Sequence, residues 1–152
     1  MAQQSAITVF DGAATPVSHT LVPVDNKVLK DGTRLAIWRE NNASLPVEAQ
    51  VRIELYQREF PASKVTETRA VVVVPVMESV SGQNAQGYTA APKVAYEDKS
   101  ELRVLSHRRS TVTSRRICRQ ILTNLMTNTS TTVPPVSAGV LDEAAVQLFM
   151  PT

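Results

Sequence analysis

The chain has 152 residues, 16 Lys and Arg against 14 Asp and Glu, a formal net charge of +2 and 43% hydrophobic residues. That is enough for one ordinary globular core, and too little surplus charge to argue by itself for nucleic acid or a membrane surface. A lone cysteine, Cys118, excludes an internal disulfide framework and a cysteine-based zinc site; nothing approaches the ~20 apolar residues of a membrane helix, and the start lacks a signal-peptide pattern. The expected class is a soluble intracellular or virion-type domain without cofactors, covering 1–152 as one unit, with a hairpin and sheet over 1–106 and helices over 107–152.

Two short apolar runs at 6–10 and 17–24, joined by a loop opening on Asp11-Gly12, read as an antiparallel hairpin. Pro23 cannot donate to a ladder, so the hairpin is expected to end there or to lie at a free edge. Asp25-Asn26 and Asp31-Gly32 read as turns. The run 33–40 is a third strand. Residues 47–60 carry the clearest period in the chain. Val47, Ala49, Val51, Ile53 and Leu55 alternate with Glu48, Gln50, Arg52, Glu54 and Tyr56, which predicts one covered and one wet face. The run 65–78 contains Val71 to Val74 in succession, which predicts either two covered faces or an apolar face awaiting a partner. Residues 79–92 read as a long loop. The last strand, 94–105, sets Leu102 and Val104 against Lys99, Glu101 and Arg103.

From Ser110 the spacing becomes helical. Ser110, Thr113 or Ser114 could cap the start, and Ile117, Cys118, Ile121, Leu122, Leu125 and Met126 form one apolar stripe. A polar, proline-containing break at 128–136 precedes a second short helix at 140–149, with Val140, Leu141, Ala144, Ala145 and Leu148 inward. Segregated strands and helices predict an α+β fold with an antiparallel sheet. Two helices are too few to cover one sheet face, so an obligate dimer is expected, its two-fold axis extending the sheet.

Catalytic chemistry finds little support. His19 and His107 lie in unlike elements and read as hairpin and turn residues; Cys118 reads as core; no glycine-rich phosphate loop and no metal-ligand spacing occurs. Trp38 reads as core. Arg103, Arg108, Arg109, Arg115, Arg116 and Arg119 crowd seventeen residues, and no acid falls between Glu101 and Asp142. Two readings stay open for them: a phosphate-binding patch, or inter-subunit ion pairs on a solvated helix face. The wet sheet face, with Gln50, Arg52, Glu54 and Tyr56, Arg69, and Lys99 and Glu101, could hold RNA by phosphate contact and stacking, although its acids roughly balance its bases.

The Trp-bearing strand LAIWRE (35–40), the run VVVVPV (71–76), the long loop, the strand SELRV (100–104) and the terminal helix pair come in an order that resembles the coat proteins of single-stranded RNA bacteriophages, the levivirus group. The resemblance is in element order over nearly the whole chain. It implies an interlocked homodimer in which the helices of each chain pack over the sheet of the other. It further implies ninety dimers in a T=3 icosahedral shell, assembled in the bacterial host cytoplasm, with the sheet facing packaged genomic RNA. By the same resemblance, loop 79–92 sits at the symmetry axes. The sheet face binds an RNA hairpin that represses replicase translation, through Gln50, Arg52, Glu54, Tyr56, Arg69, Val71, Val73, Lys99 and Glu101. A cellular dimeric RNA- or DNA-binding regulator of the same build is the alternative; an enzyme is not expected, nor a membrane partner.

Overall fold

The computed structural model describes residues 4–78, 87, 93–130 and 136–152. The predicted loop at 79–92, Gly87 apart, and the middle of the predicted break at 128–136 lie outside the described residues. The chain forms a six-stranded antiparallel sheet in sequential order: β1 (Ile7–Phe10), β2 (Ser18–Val28), β3 (Arg34–Glu40), β4 (Arg52–Phe60), β5 (Val65–Met77) and β6 (Val94–His107). It is followed by α1 (Val112–Met126) and a single π-helical turn, Asp142–Gln147. The predicted hairpin is therefore one flank of the same sheet, not a separate layer.

Two strand boundaries differ from expectation, each for a local reason. β2 runs straight through Pro23 and Asp25-Asn26 because a bulge between Pro23 and Asp25 absorbs the proline and restarts the ladder. The side chain of Gln4 fills that irregularity, donating to the carbonyls of Ile37 at 3.0 Å and Asp25 at 3.4 Å. β4 starts at Arg52, not at 47, because Pro46 opens a 3-10 turn over Val47–Ala49. The regular alternation of 47–51 is thus a coincidence of composition ahead of a true strand.

The sheet has a core face and a polar face. Leu21, Ala36, Trp38, Leu55 and Ala70 line the core face and pack against Ala144 and Met150 of the C-terminal segment. Trp38 is fully buried as expected, its Nε1 donating to the Ser5 carbonyl at 2.8 Å. Farther along the same face the strands carry Gln57, Thr66, Thr68 and Ser106, all buried. Polar residues there reflect the π turn lying on them. A π turn leaves its carbonyls without regular partners, and these side chains supply donors. Gln57 Nε2 and Thr68 Oγ1 both reach the Ala144 carbonyl at 3.1 Å, and Ser106 Oγ reaches that of Ala145 at 3.2 Å.

The π turn also corrects the expected second helix. Its wider winding buries Asp142, Ala144, Ala145 and Val146 and leaves Leu141 outside. The chain end then returns along the sheet, where Asn26 Nδ2 donates to the Pro151 carbonyl at 2.7 Å and the Gln4 amide to that of Thr152 at 2.8 Å.

Candidate functional site

The polar face is built by register. β4 sets Arg52, Glu54 and Tyr56 opposite Val73, Val71 and Arg69 of β5, and β5 sets Val73, Val71 and Arg69 opposite Lys99, Glu101 and Arg103 of β6. Because side chains alternate along a strand, all of these project to one side. Arg52 makes a forked pair with Glu97, Nη1 to Oε1 at 2.8 Å and Nη2 to Oε2 at 3.2 Å, and its Nε donates to Glu54 Oε1 at 3.2 Å. The hydrogen bonds from Arg52 and then Lys99 pull the Glu97 carboxyl down to about 2. Tyr56 donates to Glu54 Oε2 at 2.6 Å while the Arg69 guanidinium sits over its ring at 4.4 Å. Partial burial, and then the bond to Glu54, raise the Tyr56 hydroxyl above its usual range. Arg69 approaches Glu101 at 3.9 Å, and Arg103 Nε donates to Glu67 at 2.6 Å. A cleft of about 210 Å³ opens at the margin, between Leu29, Asp31 and Thr33 on one side and Tyr56, Arg58 and Arg69 on the other.

Of the residues singled out in the sequence, Arg52, Glu54, Tyr56, Arg69, Lys99 and Glu101 come together on this face. Val71 and Val73 share it, but as its floor: Val73 is 1% exposed and Val71 8%, beneath the longer side chains around them. Gln50 does not share it. It precedes β4, is buried, and its amide donates to the carbonyls of Asn42 at 2.8 Å and Leu45 at 3.2 Å, closing the β3–β4 connection.

The arginine crowd resolves into intrachain ties. Asp142, whose side chain is wholly buried, lies between Arg119 Nη1 at 2.7 Å and Arg116 Nη2 at 3.1 Å, and Gln147 adds a donor at 3.0 Å. Burial alone would push this carboxyl up; the bonds from Arg116 and Gln147 and the arginine charges hold it below the ordinary range. Arg115 Nε donates to the Val146 carbonyl at 2.5 Å, Arg119 also donates to that of Val136, and Arg108 pairs with Glu59 at 2.5 Å. These side chains bind α1 to the C-terminal segment and the end of β6 to β4 within the chain. His107 closes the β6–α1 turn, its Nδ1 accepting from the Arg109 amide at 3.1 Å. Among the described residues no group of His, Cys, Asp and Glu could hold a metal ion.

A second surface is apolar. The helix α1 starts on Thr111, whose Oγ1 accepts from the Ser114 amide at 3.1 Å; none of the three residues expected to cap it does so. It buries none of its residues: Leu125 is 76% exposed, and Ile117, Ile121, Met126 and Cys118 are exposed with it. The expected core role of Cys118 therefore fails within this chain. Val72 and Val74, on the core face beyond the reach of the C-terminal segment, are also open. Between sheet and helix a cleft of about 560 Å³ is lined by Ile53, Leu55, Ala70 and Val72 below and by Gln120 and Asn124 above.

Residues 2–140 match the family described as Levivirus coat protein. No curated protein sequence matches the chain. Among solved structures it is similar to the virus-like particle of bacteriophage ESE058, with 23% identity, 99% of each chain covered and a TM-score of 0.69. It is also similar to the virus-like particle of bacteriophage EMS014, with 25% identity, 97% of this chain and 98% of that chain covered and a TM-score of 0.68. A more remote likeness is to the capsid protein of bacteriophage GA, with 16% identity, 96% and 95% coverage and a TM-score of 0.58. A match over nearly the full length, on an α+β fold of this topology, leaves one conclusion: the chain belongs to the levivirus coat protein family, a family of structural capsid proteins and not of enzymes.

Proposed function

We propose that two copies of this chain interlock and that the dimers close into an icosahedral T=3 shell of a single-stranded RNA bacteriophage, assembled in the host cytoplasm. The observation that carries this reading is α1, a 15-residue helix whose apolar stripe is uncovered in its own chain. Contiguous exposed apolar surface of this kind marks an interface. An occupant of matching chemistry is at hand: the floor of the cleft under α1, Ile53, Leu55, Ala70 and Val72, is apolar like the stripe, so a second copy can exchange helices with the first reciprocally. β6 supports the same pairing. It is a 14-residue edge strand bonded on one side to β5, and no strand of the described residues pairs with its other side, which a two-fold mate can complete.

The polar face is then the inner wall. We assign it contact with packaged RNA through Arg52, Glu54, Tyr56, Arg69, Lys99 and Glu101 over the floor of Val71 and Val73, and, on the same reading, recognition of an RNA hairpin that represses replicase translation. Family membership favours this over a cellular regulator. The test is sedimentation and negative-stain imaging of the purified chain. Uniform virus-sized particles holding nuclease-protected RNA are expected, and Leu125→Asp, which puts a charge on the stripe, should abolish them and leave a monomer. A well-behaved wild-type monomer at high concentration would sink the proposal.

A further inference from the structure

The polar face neutralises itself almost everywhere. Arg52 pairs with Glu97 and Glu54, Lys99 with Glu97, Arg69 with Glu101, Arg103 with Glu67, Arg58 with Asp31, and Lys27 with Asp25. Ion pairs like these present little field to an approaching polyanion. The exception is Arg39. It lies on β3 directly opposite Arg52 of β4 and beside Val22 of β2, hence on the polar face. Among the described residues it forms no ion pair, and its Nε is buried without a hydrogen-bond partner. Two arginines opposed across a ladder repel. The charge of Arg52 is drawn toward β6 by Glu97, whereas that of Arg39 has nothing to offset it. A buried, unused guanidinium donor costs free energy until an acceptor arrives.

We infer that Arg39 anchors an RNA phosphodiester on the polar face. A guanidinium is a forked donor, and a phosphate is an anion whose oxygens accept that fork. The inference rests on the reading above that this face meets RNA, and it moves the main backbone contact away from Arg52, the residue that alternation picks out first.

The test measures binding of a 12-nucleotide oligouridylate to the full-length chain, freed of packaged RNA, across a series of salt concentrations. Arg39→Gln should weaken binding about tenfold and lower the slope of log affinity against log salt by about one. Arg39→Lys should keep that slope while losing part of the affinity. The double variant Lys27→Gln with Asp25→Asn removes one pair of the same face at constant net charge and should stay within about twofold of wild type. Unchanged affinity and slope in Arg39→Gln, with a large loss in the double variant, would overturn the inference. Should the wild-type chain bind no RNA at all, the reading of the face fails. Inorganic phosphate titrated against the Arg39 Nε–H resonance then decides the anion site separately: a saturable shift supports it and no shift overturns it.

Discussion

Asp142 is the residue on which the C-terminal half turns. Its carboxylate has no exposed surface and meets two guanidinium groups and an amide. Removing the charge leaves Arg116 and Arg119 facing each other with no anion between them, and breaking a buried ionic network costs about 3 kcal/mol. Asp142→Asn is therefore expected to lower unfolding free energy by about that amount, read by chemical denaturation. His19 is the residue whose charge follows pH. Its Nδ1 lies 3.1 Å from Glu40 Oε1 and its Nε2 3.4 Å from Asp11 Oδ2, so it ties the β1–β2 loop to the end of β3. The hydrogen bond to Glu40, opposed by partial burial and reinforced by Asp11, raises its pKa above the ordinary 6.5. A raised value favours the folded state of the protonated form. The contribution is full below pH 6.5 and fades as pH rises through the raised value. His19→Gln should cost about 1 kcal/mol at pH 5.5 and close to nothing at pH 8.5, measured as the difference between thermal melts at the two pH values. Neither role could be read along the chain: Asp142 is 26 positions from Arg116, and His19 is 21 from Glu40.

At the scale of elements, alternation and helical spacing carried far. The six strands, the inward Trp38 and the side chosen by Arg52, Glu54 and Tyr56 follow from period two, because a strand has no other way to separate wet from covered residues. Period failed where backbone geometry intervened. The proline before Val47 wound a 3-10 turn out of alternating residues, and the bulge after Pro23 carried β2 four residues past its predicted end. Buried Gln57, Thr68 and Ser106 look solvated in a sequence and are inside because a π turn needs their donors. The start of α1 is decided by one side chain. Thr111→Ala removes the acceptor for the Ser114 amide and should cost about 1 kcal/mol. Hydrogen exchange of the first-turn amides reads this, since they should exchange faster while β3 and β4 amides do not.

Across the whole molecule, the sheet separates two surfaces of opposite chemistry. One is a lattice of ion pairs in which, among the described residues, Arg39 is left without an acid; the other is oily and unfinished, with α1 standing over a cleft it does not fill. A net charge of +2 on the chain says little about either, because charge acts through its placement. By itself the sequence determined the order of six strands followed by a helix, and that two helices are too few to cover one sheet face, since these depend on periodicity and counts. The tertiary structure decided which acid meets which base, that the arginines grip the C-terminal segment, that Gln50 belongs to a loop, and that Arg39 is left over. Such pairings join residues far apart in the chain, and contact at hydrogen-bond distance is fixed by register and by the return of the chain end, neither of which local spacing encodes.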